Sequence, residues 1–309
     1  MSKNKKYIIL GGNGFIGSRL REFLPEMNFI IIGRNLPVPG QEKYKYFSIQ
    51  QHSLEEIADI LEIQPDYSVI DLSYNSISNT LPVHPGKDFS ENLNLVIDNL
   101  YFAKRMKAVR YIYVSSGGTV YGNTTEKLIS EFHPTNPVSH YGIIKLAAEK
   151  YVQMYCSQND LEFQIVRPSN VYGPGQIPFR GQGIISTSLA SVFRKMPVTI
   201  YGRGDNIRDF IYVDDFCQWL LSLADSPKHG EIYNAGSAVG HSVLDMLDKI
   251  RELANGGEKL KCEYAADRPF DVKVNVLDTR KIVQDTKMNC TVDLDEGMKR
   301  TWNWIKEHF

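Results

Sequence analysis

Tyr141 and Lys145 stand four residues apart in the stretch Tyr141-Gly142-Ile143-Ile144-Lys145. On a helix that spacing places both side chains on one face. An ammonium beside a phenol favours the phenolate, so Lys145 is expected to draw Tyr141 below the ordinary phenol pKa of about 10. A phenol tuned this way can act as a general base toward a hydroxyl group. The same spacing also arises on ordinary solvated helices, so the pair takes its weight from the elements around it.

The first of these elements is Gly11-Gly12-Asn13-Gly14-Phe15-Ile16-Gly17. It follows Tyr7-Ile8-Ile9-Leu10, an apolar run that reads as a buried parallel strand, and precedes a helix expected over Ser18 to Leu24. Glycines at 11, 14 and 17 permit a tight turn, close approach of a pyrophosphate and close helix packing. The free amides at the helix start would face those phosphates. In this strand–loop–helix setting the glycines mark a dinucleotide site, with Phe15 and Ile16 in the same turn. A second strand, Phe29 to Ile32, ends at Gly33-Arg34-Asn35. Sites selective for NAD usually carry an acid there, whereas an arginine suits the 2′-phosphate of NADP, so Arg34 points toward NADP.

A third strand is expected over Tyr44 to Gln50, with Gln50 placed to read an adenine edge. Ser53 caps a helix running through Leu61. A fourth strand spans Tyr67 to Leu72, a Ser/Asn/Pro-rich loop covers 73–86, and a long helix runs from Asp88 to Lys107. The fifth strand, Tyr111 to Ser116, carries Ser115 and Ser116 at its carboxyl end, where ligands bind in open α/β sheets. Strands alternate with helices to about Arg167. That pattern predicts an α/β fold with a doubly wound parallel sheet of the Rossmann type. Beyond Tyr172 the pattern becomes a smaller mixed α/β region. Residues 1–171 and 208–237 are therefore assigned to a dinucleotide-binding domain, and 172–207 and 238–309 to a C-terminal substrate domain that closes over it.

The chain has 309 residues, 42% hydrophobic, with a formal net charge of -1. It can bury a large core, and its charge balance favours neither nucleic acid nor an anionic membrane. Cys156, Cys217, Cys262 and Cys290 are far apart, with no Cys-x-x-Cys, so neither a zinc site nor a redox motif is expected. They fit a reducing cytoplasm. The run from Tyr7 to Leu10 is too short for a signal peptide core or a membrane span.

Five stretches together resemble the signatures of extended short-chain dehydrogenases/reductases, in the sugar-nucleotide epimerase/dehydratase group. They are the glycine turn at 11–17, Ser115-Ser116-Gly117-Gly118-Thr119-Val120-Tyr121-Gly122, Tyr141-x-x-x-Lys145, Arg167-Pro168-Ser169-Asn170-Val171-Tyr172-Gly173-Pro174, and Arg208-Asp209-Phe210-Ile211-Tyr212-Val213-Asp214-Asp215. The resemblance covers nearly the whole chain, and within the group the likeness is to UDP-glucose 4-epimerases. It implies that Tyr141 takes the sugar hydroxyl proton while Lys145 holds the nicotinamide ribose and tunes Tyr141. It implies Asn92 behind that lysine, Ser115 and Ser116 beside the nicotinamide, and Leu72 and Pro168 along the cofactor. Asn170 would touch the sugar nucleotide, and Arg208 and Arg268 would clamp its diphosphate. Tyr121 is assigned to packing.

The chain departs from the family pattern in two places. Gly117 stands where the family carries a Ser or Thr hydroxyl, a role that Ser116 or Thr119 would take over. Gly118-Thr119 replaces the acid pair of the dehydratases, which argues against dehydration. The expected function is a nucleotide-sugar epimerase using bound NAD or NADP, in a homodimer. The alternatives are an NADPH-dependent 4-keto nucleotide-sugar reductase and a non-catalytic binding protein on the same fold.

Overall fold

The computed structural model describes residues 6–25, 28–35, 45–61, 67–75, 83–254, 260–268 and 271–309. Tyr44 and the 76–82 part of the expected loop lie outside these residues. The first half alternates strand and helix: β1 (Lys6–Leu10), α1 (Phe15–Leu20), β2 (Phe29–Gly33), β3 (Lys45–Ser48), α2 (Leu54–Leu61), β4 (Tyr67–Asp71), α3 (Pro85–Arg105), β5 (Arg110–Val114), α4 (His140–Gln158) and β6 (Glu162–Pro168). Then follow β7 (Asn170–Tyr172), α5 (Ile184–Phe193), β8 (Val198–Tyr201), β9 (Ile207–Tyr212), α6 (Val213–Asp225), β10 (Glu231–Ala235) and β11 (Gly240–Ser242). The chain ends with α7 (Val243–Leu253), β12 (Cys262–Ala265), β13 (Val274–Asn275), α8 (Arg280–Thr286) and α9 (Leu294–His308).

The main sheet has 7 strands in the order β10-β6-β5-β4-β1-β2-β3, and every pairing in it is parallel. Successive side chains along a strand point to opposite faces, and the cores follow that rule. Ile8 and Leu10 of β1 and Tyr111 and Tyr113 of β5 pack with α2, α3 and α4 on one face. Tyr7, Ile9, Ile112 and Val114 pack with α1, α6 and Ile282 of α8 on the other. The doubly wound sheet expected from the alternation is therefore present, and its order reverses between β1 and β4. The ends of those two strands form the crevice in which such folds bind ligands.

The rest of the chain builds a second, smaller core from α5, α7, α9, β8 and β9. β9 pairs with β7, β11 and β13 rather than with the main sheet. Its residues Asp209 to Tyr212 thus lie outside the main sheet, whereas β10 is an edge strand of that sheet and α6 packs on it. No described helix is long and apolar enough to cross a membrane.

Candidate active site

A cavity of about 510 Å³ opens where β1, β4, β5 and β6 end, and the second core closes its far side. The glycine turn forms one wall. Gly11 has a φ of +74°, and a Cβ there would meet the Leu72 backbone at 3.1 Å, so glycine is required for both the turn and the close approach of the β4 loop. A Cβ on Gly17 would meet the Gly12 backbone at 2.5–2.8 Å, so the turn folds tightly onto the start of α1. Gly14, Phe15, Ile16 and Gly17 all face the cavity, and the amides of a first helical turn have no intrahelical acceptor. A side chain at Gly14 would meet only the Gly11 carbonyl, at 3.3 Å, so the backbone here is open to a diphosphate. This wall fits a dinucleotide.

Ser116, Thr119, Tyr141 and Lys145, the expected acid–base groups, line the same cavity. Ser139 caps α4 by accepting the Gly142 amide at 3.1 Å, which places Tyr141 in the first turn. Gly142 lets that turn approach the Ser116–Thr119 turn, because a Cβ there would lie 2.7 Å from the Thr119 carbonyl oxygen. Ser116 lines the cavity, and its hydroxyl favours the ionised form of the Tyr141 phenol. Thr119 also lines the cavity, but its hydroxyl is buried and makes no hydrogen bond. Lys145 lies one turn below Tyr141, 4% exposed, with its Nζ donating to the Val114 carbonyl at 2.9 Å. Beneath the floor, Arg167 forms a bidentate pair with Glu149, at 2.9 Å and 2.6 Å, and also donates to Tyr121. Ser115 donates to the same Glu149 carboxylate, and Tyr121 donates to Asn234 at 2.6 Å. Tyr121 is fully buried in this network, in keeping with a packing role.

The expected tuning of Tyr141 by Lys145 is not found. Burial pushes the Tyr141 pKa above the ordinary phenol value, the neighbouring Tyr74 adds to the rise, and Ser116 opposes it. The ammonium is 5.9 Å from the Tyr141 ring centre and is engaged with a backbone carbonyl. Burial also pushes Lys145 down to about 8, with Asp71 and Glu149 opposing. Tyr141 itself keeps part of its surface open to the cavity, although protein atoms crowd its other sides.

At the far end, Arg208 and Arg268 both line the cavity with Asn170. Burial lowers the Arg208 pKa, Asp271 opposes that, and the charge of Arg268 lowers it further, so the two guanidinium groups feel each other. Arg268 is held by Asp271 at 3.0 Å and lies 4.1 Å from the centre of the Tyr201 ring. Among the described lining residues the charged groups are Lys145, Arg208, Arg268 and Asp271.

Gly11, Gly14, Phe15, Ile16, Gly17, Leu72, Ser115, Ser116, Thr119, Tyr141, Lys145, Pro168, Asn170, Arg208 and Arg268 thus converge on one cavity. Arg34, Gln50 and Asn92 lie outside its lining. Arg34 is exposed and reaches Asn75 at 3.5 Å, and Gln50 is exposed. Asn92 accepts the Asn75 amide at 2.8 Å, which ties α3 to the loop after β4.

The NAD dependent epimerase/dehydratase family matches residues 7–236. The chain belongs to this family. A protein of Methanocaldococcus jannaschii that provisionally bears the name UDP-glucose 4-epimerase is 31% identical, over 97% of this chain and 98% of its own. The dTDP-D-glucose 4,6-dehydratase of Bos taurus is 27% identical, over 99% and 90%. The crystal structure of the Thermus thermophilus UDP-glucose 4-epimerase in complex with NAD superposes with a TM-score of 0.88 at 25% identity, covering 98% of this chain and 100% of that one. The resemblance read from the motifs is borne out, as is the enzyme class.

Within this family two apparent gaps in the chain have packing causes. A Cβ on Gly117 would meet Leu277 at 2.6 Å and the Arg167 carbonyl oxygen at 2.8 Å, so a serine there would collide with the floor and point away from the cavity. At Gly33 the phenol end of the Tyr46 side chain occupies the place a Cβ would take, and it would have to shift to admit an acid there. Sequence reasoning missed Tyr74, Tyr201 and Asp271. Tyr74 follows the carboxyl end of β4 by three residues, and the rule that ligands bind at such ends could have singled it out.

Proposed function

We propose that the chain is a nucleotide-sugar 4-epimerase acting on a UDP-linked neutral hexose with NAD held along the glycine turn. The observation that carries this reading is that Ser116, Tyr141 and Lys145 line one cavity with the glycine turn, the Lys145 ammonium 5.9 Å from the centre of the Tyr141 ring. The nicotinamide, when bound, supplies the acceptor and later the donor of a hydride at the sugar carbon. Tyr141 takes the hydroxyl proton, and Ser116 holds the reacting oxygen, taking over the hydroxyl role that has no room at Gly117. Arg208 and Arg268 grip the diphosphate, and Asn170 contacts the nucleotide sugar. With the diphosphate fixed at one end, the oxidised sugar can turn and present its other face.

Three features support the finer choices. The cations of the described cavity lining are Lys145, engaged with the Val114 carbonyl and the Tyr74 ring, and the arginine pair, which leaves no further described cation for a sugar carboxylate. Its one described carboxylate, Asp271, is held by Arg268, and Gly118 and Thr119 supply no acid to expel a hydroxyl, which disfavours the dehydratase reaction of the bovine relative. The Thermus relative is an epimerase whose structure holds NAD.

A homodimer belongs to the same reading. Tyr101 on α3 and Ile143 and Met154 on α4 are exposed apolar side chains on adjacent helices, suited to a two-fold four-helix contact. So do a cytoplasmic location, which the free cysteines fit, and two lobes, 1–171 with 208–237 and 172–207 with 238–309, with β9 at their seam.

Proton NMR of UDP-glucose incubated with the protein and a trace of NAD tests the function. UDP-galactose should appear without net formation of NADH. A second reading, an NADPH-dependent 4-keto-sugar reductase, is favoured by the space Tyr46 takes beside Gly33 and by the exposed Arg34. Under that reading NADPH would be consumed in proportion to product, and UDP-glucose would be left unchanged.

A further inference from the structure

We propose that Tyr74 is a positioning residue, whose ring caps the Lys145 ammonium and braces Tyr141 so that both keep the geometry the reaction needs. The proposal rests on the reading of Tyr141 and Lys145 as the reacting pair. The ammonium lies among three aromatic rings, 4.9 Å from the centre of Tyr74, 4.9 Å from that of Tyr113 and 5.9 Å from that of Tyr141. Aromatic faces attract a cation at such distances. Tyr113 belongs to β5 and is 1% exposed, so it is a fixed wall. Tyr74 is half-buried and lines the cavity, so it is the wall between Lys145 and the ligand space. The same ring meets Tyr141 edge-on, with centres 4.9 Å apart and planes at 82°. Such edge contacts are favourable and set the orientation of both rings.

The backbone around Tyr74 is held on both sides. Ser73 is fixed by its amide to the Asp71 carboxylate at 2.9 Å, and its hydroxyl accepts from Asn99 at 2.9 Å. The Asn75 amide donates to Asn92 on α3. Asn92 therefore serves the site by fixing the loop that carries Tyr74. The groups facing the ammonium are Asp71 at the end of β4, Tyr113 of β5, Tyr141 and Glu149 of α4, and Tyr74 itself. Asp71 and Glu149 favour the charged form, and exclusion of water opposes it. Removing the Tyr74 ring takes away its attraction for the cation but lets water reach the ammonium, and because burial is the largest cause of the lowered pKa the restored hydration wins and favours the charged form.

The test uses the full chain labelled with carbon-13 lysine, and follows the Lys145 ε-carbon by NMR against pH. Loss of the signal in Lys145→Arg assigns it. The wild type should titrate near 8. Tyr74→Phe keeps the ring and should keep that midpoint. Tyr74→Ala, with its circular dichroism unchanged, should raise it by about one pH unit or more and lower kcat more than it raises KM. A midpoint that stays in place in Tyr74→Ala, or that moves equally in Tyr74→Phe, would overturn the proposal. The titration needs no turnover. Failure of the wild type to convert any nucleotide sugar, with the Tyr74→Ala shift intact, would therefore count against the proposed function and leave the role of Tyr74 over Lys145 standing.

Discussion

Lys145 carries its charge into a box of aromatic rings, and that placement has a thermodynamic signature. The unfolded chain keeps this proton up to about 10.5, whereas the folded protein releases it near 8. Between those values the unfolded state binds more protons, so the contribution of Lys145 to stability rises with pH, and below 8 its penalty is complete. Lys145→Met should therefore be more stable than the parent at pH 7, with an advantage that shrinks by about 2 kcal/mol by pH 9.5. Urea unfolding of both proteins across that range checks it, and a constant difference would contradict it. Tyr141→Phe keeps the ring and removes the ionisable oxygen, so turnover should fall on the order of 100-fold or more while cofactor still binds. Gly117→Ser should not supply a catalytic hydroxyl. Overpacking against the 167–168 backbone should instead destabilise the protein by about 1–3 kcal/mol, read in the same unfolding assay. At this scale the Tyr–x–x–x–Lys spacing was legible because both residues share one helix. The reason for Gly117 was not, since Leu277 is brought beneath it only by the fold. The pKa of Tyr141 was misjudged for a related reason, because its burial and the Tyr74 ring come from other segments.

Among the elements, the regular alternation of apolar strands and helices made the sheet legible. Strands buried on both faces read as continuous apolar runs, as in β1 and β2. Helix ends were legible where a local cap exists, as at Ser53, whose hydroxyl accepts the Glu56 amide at 3.2 Å while Glu56 accepts the Ser53 amide at 2.8 Å. The helix expected over Ser18 to Leu24 instead begins at Phe15 and tightens into a 3₁₀ turn over Arg21–Phe23. The expected fifth strand ends at Val114, although the Ser115 amide still reaches the Val166 carbonyl at 2.8 Å. β9 itself reads as a strand over Asp209 to Val213, but its pairing was not legible, because its partners β7, β11 and β13 are short and distant in sequence. The end of β2 carries a prediction of its own. If Arg34 binds a 2′-phosphate, Arg34→Ala should weaken NADP(H) by ~1.5–3 kcal/mol and barely change NAD(H). Calorimetric titration of both cofactors decides it, and equal losses for the two would remove Arg34 from the site.

For the molecule as a whole, the exposed apolar side chains of α3 and α4 predict a dimer at micromolar concentration by light scattering, and Tyr101→Glu should shift it toward monomer. A wild type that is monomeric there would remove that contact from the account. One cavity brings Tyr141 and Lys145 together with the glycine turn, and Arg208 and Arg268 line it too. Under the proposed epimerase reading, the hydrogen removed from the sugar never leaves the site. Incubation of UDP-glucose deuterated at the sugar C4 with the protein, a trace of NAD and excess unlabelled NADH tests this most directly. Mass spectrometry and NMR should find UDP-galactose with the deuterium retained at C4. Product that has lost its deuterium to the free cofactor pool, or the absence of any inverted product, would contradict the account.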